Sequence, residues 1–374
     1  MDADVWQALK NEEPASTAWN FQGKRYEWKS ATEVSITGTK FPAKHAPFTD
    51  VGIVKKSFVG SKSSFKPSFK LDFLKKKHST NQIEPFIGIS LMTLNNCVQD
   101  FSYIRQPLGY ELFRQAGVPN FRCNFAQVNV NGVSQGVYLN IEPFKEPFLK
   151  HIFNNDHGNG YEVTFSNTQK PGERLDAGNI SYEGFSAFED KSDLKLAADA
   201  IQNNGIAGVQ QVVNVDAFIK FYAMETLLKH WDGYTTQQNN TFIYNDTSVL
   251  VAPTLTNIKM KFIPSGIDQM LQPDRAVKLG EKPIMAKLIR ADPNMNAKLL
   301  AQIGKFANDI FGQQKLDSVV TPLIDKLQKL LIGAGAKPTR NNGFTGGDLV
   351  KEIQTVRDQL KSIGPAAVKL SQGK

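Results

Sequence analysis

Leu228-Lys229-His230-Trp231-Asp232-Gly233-Tyr234, continued by Asn239-Asn240-Thr241-Phe242-Ile243-Tyr244 and closed by Phe262-Ile263-Pro264-Ser265-Gly266-Ile267-Asp268, is the stretch on which the fold of this 374-residue chain turns. It parses as a helix end, an acidic loop, a strand, a turn, a second strand and an acidic end. Helical spacing of Phe218, Phe221, Tyr222 and Leu228 gives way there to two short β-prone runs, Thr241 to Tyr244 and Ile258 to Ile263. Asp232, Asn240 and Asp268 fall at loop or strand-end positions of this unit.

Upstream and downstream the periodicity differs. After residue 263 the chain reads as helical from Lys282 to Leu331 and again from Gly347 to Ile363, and before it from Asp193 to Asn203 and from Val215 to Lys229. Asn154 to Gly184 is polar and glycine-rich and reads as a connector. The N-terminal part is strand-like: an aromatic run from Trp19 to Trp28, the alternation Glu33-Val34-Ser35-Ile36-Thr37, and Phe65-Lys66-Pro67-Ser68-Phe69-Lys70-Leu71-Asp72-Phe73. In the last of these, period-two alternation puts Lys66 and Lys70 on one cationic face. A helix over Asp100 to Gln115 carries Ile104, Leu108 and Leu112 and is stopped by Gly117-Val118-Pro119. Phe125 to Ile141 reads as a β-hairpin about Asn131-Gly132. The expectation is an α+β fold with a sheet-rich part over 1–150 and a mainly helical part over 151–374.

Composition bounds the function. Hydrophobic residues make up 41%, enough for a sizeable core, and no run approaches the roughly 18 apolar residues of a membrane span. The start, Met1-Asp2-Ala3-Asp4-Val5-Trp6, shows no signal-peptide pattern. A net charge of +8 suits an anionic partner, but no aromatic-interleaved basic groove marks a nucleic-acid binder. The two cysteines, Cys97 and Cys123, form no C-x-x-C pair and so no thiolate zinc site; one disulfide or two free thiols are both open. The five histidines lack metal-ligand spacing, and neither a Gly-x-Ser-x-Gly elbow nor a P-loop is present. Gly60-Ser61-Lys62-Ser63-Ser64 is the one turn suited to covering phosphates.

Phosphoryl transfer needs a carboxylate to orient a hydroxyl and hard oxygen ligands to hold a cation against phosphates. Asp232, Asn240 and Asp268 offer that set in the chain order that protein kinases use, with a wider gap of eight positions between the first two.

Six motifs in order resemble the CotH (spore-coat protein H) kinase family across roughly residues 50 to 330. They are Lys66-Pro-Ser-Phe-Lys70-Leu-Asp-Phe, Asp100-x-Ser102-x-x-Arg105-x-x-Leu108-x-Tyr110, Gly117-Val-Pro, Val130-Asn-Gly-x-x-x-Gly136-x-Tyr138-x-x-x-Glu142, Trp231-Asp232-Gly233-Tyr234 with Asn240-x-x-x-Tyr244, and Pro264-x-Gly-x-Asp268. The resemblance implies an atypical protein-kinase-like two-lobed fold that holds ATP in the cleft between a sheet-rich N-lobe and a helical C-lobe. It implies Lys66 or Lys70 as the phosphate-contacting lysine, Glu142 on the nucleotide side, and Arg105, with Glu111, as a brace. Asp232 becomes the catalytic base or hydroxyl orienter, and Asn240 and Asp268 the ligands of Mg²⁺ or Mn²⁺. Many relatives carry Asp-x-Asp where this chain has Gly266-Ile267-Asp268, so one ligand is missing. The implied activity is phosphorylation of Ser, Thr or Tyr on a protein partner or on the chain itself, in a secreted or cell-surface setting. The rival is a non-catalytic surface or adhesion module of the same fold.

Overall fold

The computed structural model describes residues 1–13, 26–38, 41, 45–57, 59–75, 83, 87–163, 180–184, 191–246 and 253–373. Most of the strand expected over Trp19 to Trp28 lies outside them. The chain forms two compact units. The first is made of Met1–Tyr103, Arg122–Pro147 and Lys329–Leu349; the second of Ile104–Phe121, Phe148–Gln328 and Val350–Lys374. The chain passes between the units more than once, so that the helix after Ile104 belongs to the second unit and 329–349 to the first.

The first unit is built on helix α1 (Ala3–Asn11) and six strands: β1 (Lys29–Val34), β2 (Phe48–Lys55), β3 (Phe69–Asp72), β4 (Leu91–Asn95), and, after helix α2 (Arg105–Gln115) of the second unit, β5 (Cys123–Val130) and β6 (Val133–Ile141). Every pairing is antiparallel, in the order β1-β2-β3-β4-β6-β5. The β5–β6 hairpin turns at Asn131 and Gly132, both at positive φ, as a two-residue primed turn requires. Asp2 caps α1 by accepting the amides of Asp4 and Val5. The helix then buries Trp6 and Leu9 against Val51, Ile53, Phe69, Leu71, Phe73 and Tyr138 of the sheet.

The strand expected over 65–73 is shorter than its alternation implies. It begins at Phe69, because Pro67 has no N–H for a ladder and the Ser63 hydroxyl turns the chain by accepting the amides of Phe65 and Lys66. Lys66 is therefore buried, Phe65 is exposed, and Lys70 points to solvent, so the two lysines do not share a face.

The second unit carries the longer helices and a four-stranded antiparallel sheet. After α3 (Glu146–Phe153) come β7 (Asn159–Val163) and β8 (Ile180–Gly184), then α4 (Ser192–Asn204), α5 (Ile206–Val212), α6 (Val215–Leu227), the short α7 (Tyr234–Gln237), β9 (Thr241–Asn245) and β10 (Met260–Pro264). Helices α8 (Ile284–Ala291), α9 (Pro293–Asp309), α10 (Thr321–Gly333) and α11 (Leu349–Ser371) complete the chain. The sheet order is β10-β9-β7-β8. Strands β7 and β8 correct the reading of 154–184 as a plain connector: Gly158 and Gly160 weaken the local strand signal. Gly158 is needed because the chain passes so near β9 that a Cβ there would stand 2.0 Å from the Asn245 carbonyl. The mixed α and β composition expected from the sequence is what the structure has.

Candidate active site

Helix α6 delivers the candidate site. Asn214 caps it through the Ala217 amide at 3.1 Å. Phe218 on its buried face meets Phe262 of β10 at 4.8 Å between ring centroids, and Tyr234, beyond the loop, meets the same ring at 5.0 Å. Helix, loop and hairpin are thus joined by one aromatic cluster. The helix stops as Lys229 takes a left-handed backbone, φ 55°.

Glu225, on the last turn of α6, organises the loop from His230 to Thr235. Its buried carboxylate accepts from the amides of Tyr234 at 2.9 Å and Thr235 at 2.8 Å, from the Thr235 hydroxyl at 2.7 Å, and from His230 Nδ1 at 3.2 Å. A carboxylate has no proton to give, so Nδ1 carries it in this pair. Tyr234 and Thr235 open α7, whose cap position is Gly233 and has no side chain to satisfy them. Glu225 supplies the cap from across the loop. Gly233 is what permits this: a Cβ there would lie 2.3 Å from Glu225 Oε1 and 2.4 Å from His230 Nδ1.

Asp232 precedes that glycine and is half-buried. Asn240 donates its side-chain amide to Asp232 Oδ2 at 2.9 Å and to the Asp232 carbonyl at 3.0 Å, while Asn239 donates to Oδ1 at 3.2 Å. Burial pushes the Asp232 carboxyl above its ordinary range; the amides of Asn239 and Asn240 and the charges of His230 and Lys282 oppose that shift. Lys282 belongs to a segment strapped to the loop, its amide donating to the Thr235 carbonyl at 3.1 Å and its Nζ to Gln237 Oε1 at 3.1 Å.

The antiparallel register of β9 and β10 sets Thr241 against Pro264, so Asn240 faces Ser265, whose amide donates to the Asn240 carbonyl at 3.0 Å. Gly266 comes next with φ 54°, and a Cβ on it would fall 2.3 Å from Asn240 Oδ1. The glycine at the place of the family's first aspartate is therefore fitted to Asn240. Asp268, buried, sits in the 3-10 turn Ile267–Gln269. The Leu271 amide ties the chain after this turn to the Leu228 carbonyl at 2.9 Å. From the other side α2 packs on it through Gly109, where a Cβ would lie 2.5 Å from Met270 Cε and 2.7 Å from Ile267 Cδ1.

Residues 232 and 240 are thus in contact, and backbone hydrogen bonds hold the loop bearing Asp268 against the segments that carry them. Among the described residues no three His, Cys, Asp or Glu side chains form a metal cage. The Asp268 carboxylate and the Asn240 carboxamide are nonetheless hard oxygen donors of the kind that Mg²⁺ takes when phosphates and water complete its shell.

The other residues selected from the sequence are spread over both units. Lys66, in the first unit, is 5% exposed; its Nζ donates to the Tyr103 hydroxyl at 3.0 Å and the Val137 carbonyl at 2.8 Å and lies 5.0 Å from the ring centroids of Tyr103 and Tyr138. Burial lowers its pKa to about 8. Asn96 fixes its backbone, donating to the Lys66 carbonyl at 2.7 Å. Glu142 closes the base of the β5–β6 hairpin, accepting from the Arg122 amide and guanidinium. Arg105 is buried at the start of α2 in the second unit, whereas Glu111 on the same helix pairs with Arg114 at 2.6 Å. The Gly60–Ser64 turn leads into the Ser63 bonds that set Lys66. Cys97 and Cys123 are both free thiols. His230 is buried, as a packed loop histidine should be. Glu225 is not among the residues the sequence singles out, although a single carboxylate inside the apolar run Phe221-Tyr222-Ala223-Met224-Glu225 is the signal that would have found it.

The profile of the family described as CotH kinase protein matches residues 57–362. Invasin CotH2 of Rhizopus delemar is 33% identical over 70 residues, 19% of this chain and 12% of that protein. The inner spore coat protein H of Bacillus subtilis is 34% identical over 80 residues, 21% of this chain and 22% of its own length. The matched stretches are thus a minor part of both relatives. Among solved structures, the Shewanella oneidensis MR-1 toxin–antitoxin complex of HipA, HipB and operator DNA superposes over 96% of this chain and 69% of the matched one, at 12% identity and a TM-score of 0.29, a level of likeness that supports nothing further. With its profile spanning all six motifs from Lys66 to Asp268, the chain belongs to the CotH kinase protein family.

Proposed function

We propose that this chain is an ATP- and metal-dependent protein kinase that transfers the γ-phosphoryl group to a Ser, Thr or Tyr hydroxyl of a protein partner or of itself. The observation that carries the proposal is the Asp232–Asn240 contact at 2.9 Å, at the end of the β9–β10 pair from which the chain runs on to Asp268. Asp232 orients the hydroxyl and takes its proton as the hydroxyl oxygen bonds to the γ-phosphorus and the bond to the β–γ bridging oxygen breaks, the electron pair leaving with ADP. Asp268 and the carboxamide oxygen of Asn240 would hold Mg²⁺ or Mn²⁺, which would supply charge neutralisation of the phosphate oxygens. Of the two lysines, Lys66 takes the phosphate role: it is fixed by two neutral acceptors, the Tyr103 hydroxyl and the Val137 carbonyl, while Lys70 is exposed. The names of the relatives, an invasin and a spore coat protein, support a surface or extracytoplasmic setting. No described helix is long and apolar enough to cross a membrane.

Gly266 favours a second reading, a surface module without catalysis, since one acid of the family pair is absent. Titration calorimetry with ATP plus Mg²⁺ or Mn²⁺ separates the two. The kinase reading requires saturable binding that Asp268→Ala weakens; no saturable heat for the wild-type protein overturns it.

A further inference from the structure

We infer that Glu225 is a positioning residue for phosphoryl transfer: it acts through the Gly233-Tyr234-Thr235 backbone to hold Asp232 in working register. The inference rests on the kinase reading and goes beyond it, because Glu225 lies outside every motif that carried the resemblance.

A carboxylate buried to 2% exposure on a helix otherwise packed with Phe218, Phe221, Met224 and Leu227 is expensive unless its oxygens are occupied. Here both are, and all four donors come from residues 230 to 235, the loop that contains Asp232. The one basic side chain among them, His230, belongs to that same loop and not to a distant element. Its work is confined to that loop. The bonds are also specific in form. Oε1 takes the Tyr234 amide and His230 Nδ1, Oε2 takes the Thr235 amide and hydroxyl, and so the carboxylate fixes the loop on both sides of Asp232.

Gly233 supplies a second, independent observation. Its φ of −86° is open to any residue, so conformational freedom does not explain a glycine there. Close approach does: the space a Cβ would need is filled by the Glu225 carboxylate and the His230 ring. The loop is shaped around the acid. His230 also contributes to the electrostatic setting of Asp232, which links the Glu225–His230 pair to the carboxylate it positions without contact between Glu225 and substrate.

The test compares Glu225→Gln and Thr235→Val with the wild-type protein in steady-state phosphate transfer and in amide hydrogen exchange. Gln keeps the shape but presents an NH₂ to donors on one side; Thr235→Val removes one bond and leaves the acid in place. Expected for Glu225→Gln are a kcat lower by about 100-fold with KM for ATP changed by less than about threefold, and lost protection of the Tyr234 and Thr235 amides. Expected for Thr235→Val is a smaller fall in kcat, also at unchanged KM; it decides the matter if the first variant fails to fold. Glu225→Asp, which keeps the charge, should recover part of the lost kcat. Wild-type kcat in folded Glu225→Gln, or a change in KM alone, overturns the inference. If the wild-type protein transfers no phosphate, the kinase reading falls by itself, and the exchange of the two amides still reports whether Glu225 holds the loop.

Discussion

Oδ1 of Asn240 occupies the space that a side chain on Gly266 would need, with only 2.3 Å between that oxygen and an added Cβ. The two residues are brought together by the β9–β10 register and not by sequence proximity. The glycine in place of the family's first aspartate therefore belongs to the way this chain sets Asn240.

Gly266→Asp tests that relationship. An aspartate tolerates the left-handed backbone better than most residues, so the damage falls on Asn240, which must give way and release Asp232. Restoring the family's acid should lower MgATP affinity by about 10–100-fold, the usual effect of disturbing the support of a metal ligand. Calorimetry of the variant beside the wild-type protein checks this; tighter binding would show that the lost acid is simply missing.

Gly233→Ala places a methyl group into the Glu225 carboxylate and His230 ring. The overpacking should cost about 1–3 kcal/mol of stability, and turnover should fall by about 100-fold because the loop bearing Asp232 must shift. Denaturant melts and initial rates on one preparation give both numbers.

Asp232→Asn should remove turnover and, although its NH₂ faces one of the Asn239 and Asn240 donors, flatten the pH dependence of stability. Burial raises the carboxyl of Asp232, so the folded protein prefers its protonated form. The stability this group contributes is fully present below the unfolded carboxylate pKa and is lost as pH rises through the folded value. The difference in melting temperature should thus shift in the variant's favour as pH rises from the ordinary carboxylate range to neutral. A difference independent of pH would argue against a carboxyl raised by burial at Asp232.

Lys66 gives a prediction of opposite form. Its pKa is lowered to about 8 by burial, so above that pH the free protein carries a neutral amine there. Phosphates favour the ammonium, and nucleotide binding above pH 8 should take up a proton. Calorimetric heats in buffers of different ionisation enthalpy measure that uptake; Lys66→Met should abolish it and weaken binding.

Local chemistry made part of this structure legible from sequence. Asn131-Gly132 announced its hairpin, and the spacing of Leu108 and Leu112 announced α2. That helix starts at Arg105 and not at Asp100, because the Asp100 side chain turns the preceding residues by accepting from Ser102. Of the candidate site, the sequence offers Asp232 and Asn240 as residue types, and their contact is seen only in the structure. What stayed hidden depends on approach in space. Period-two alternation could not reveal that Ser63 bends the chain and buries Lys66. Glu225 caps a helix nine residues ahead of itself, a relation that no capping motif spells. Gly109, Gly233 and Gly266 look like ordinary glycines until the atoms facing them are known.

The most direct measurement is metal-dependent transfer of label from γ-labelled ATP to protein, run with the wild-type chain, Asp232→Ala and Asp268→Ala. A kinase built on this site should show Mg²⁺- or Mn²⁺-dependent labelling by the wild-type chain that both variants reduce by at least about 100-fold, with only Asp268→Ala also losing nucleotide affinity. Equal labelling by all three proteins would contradict it.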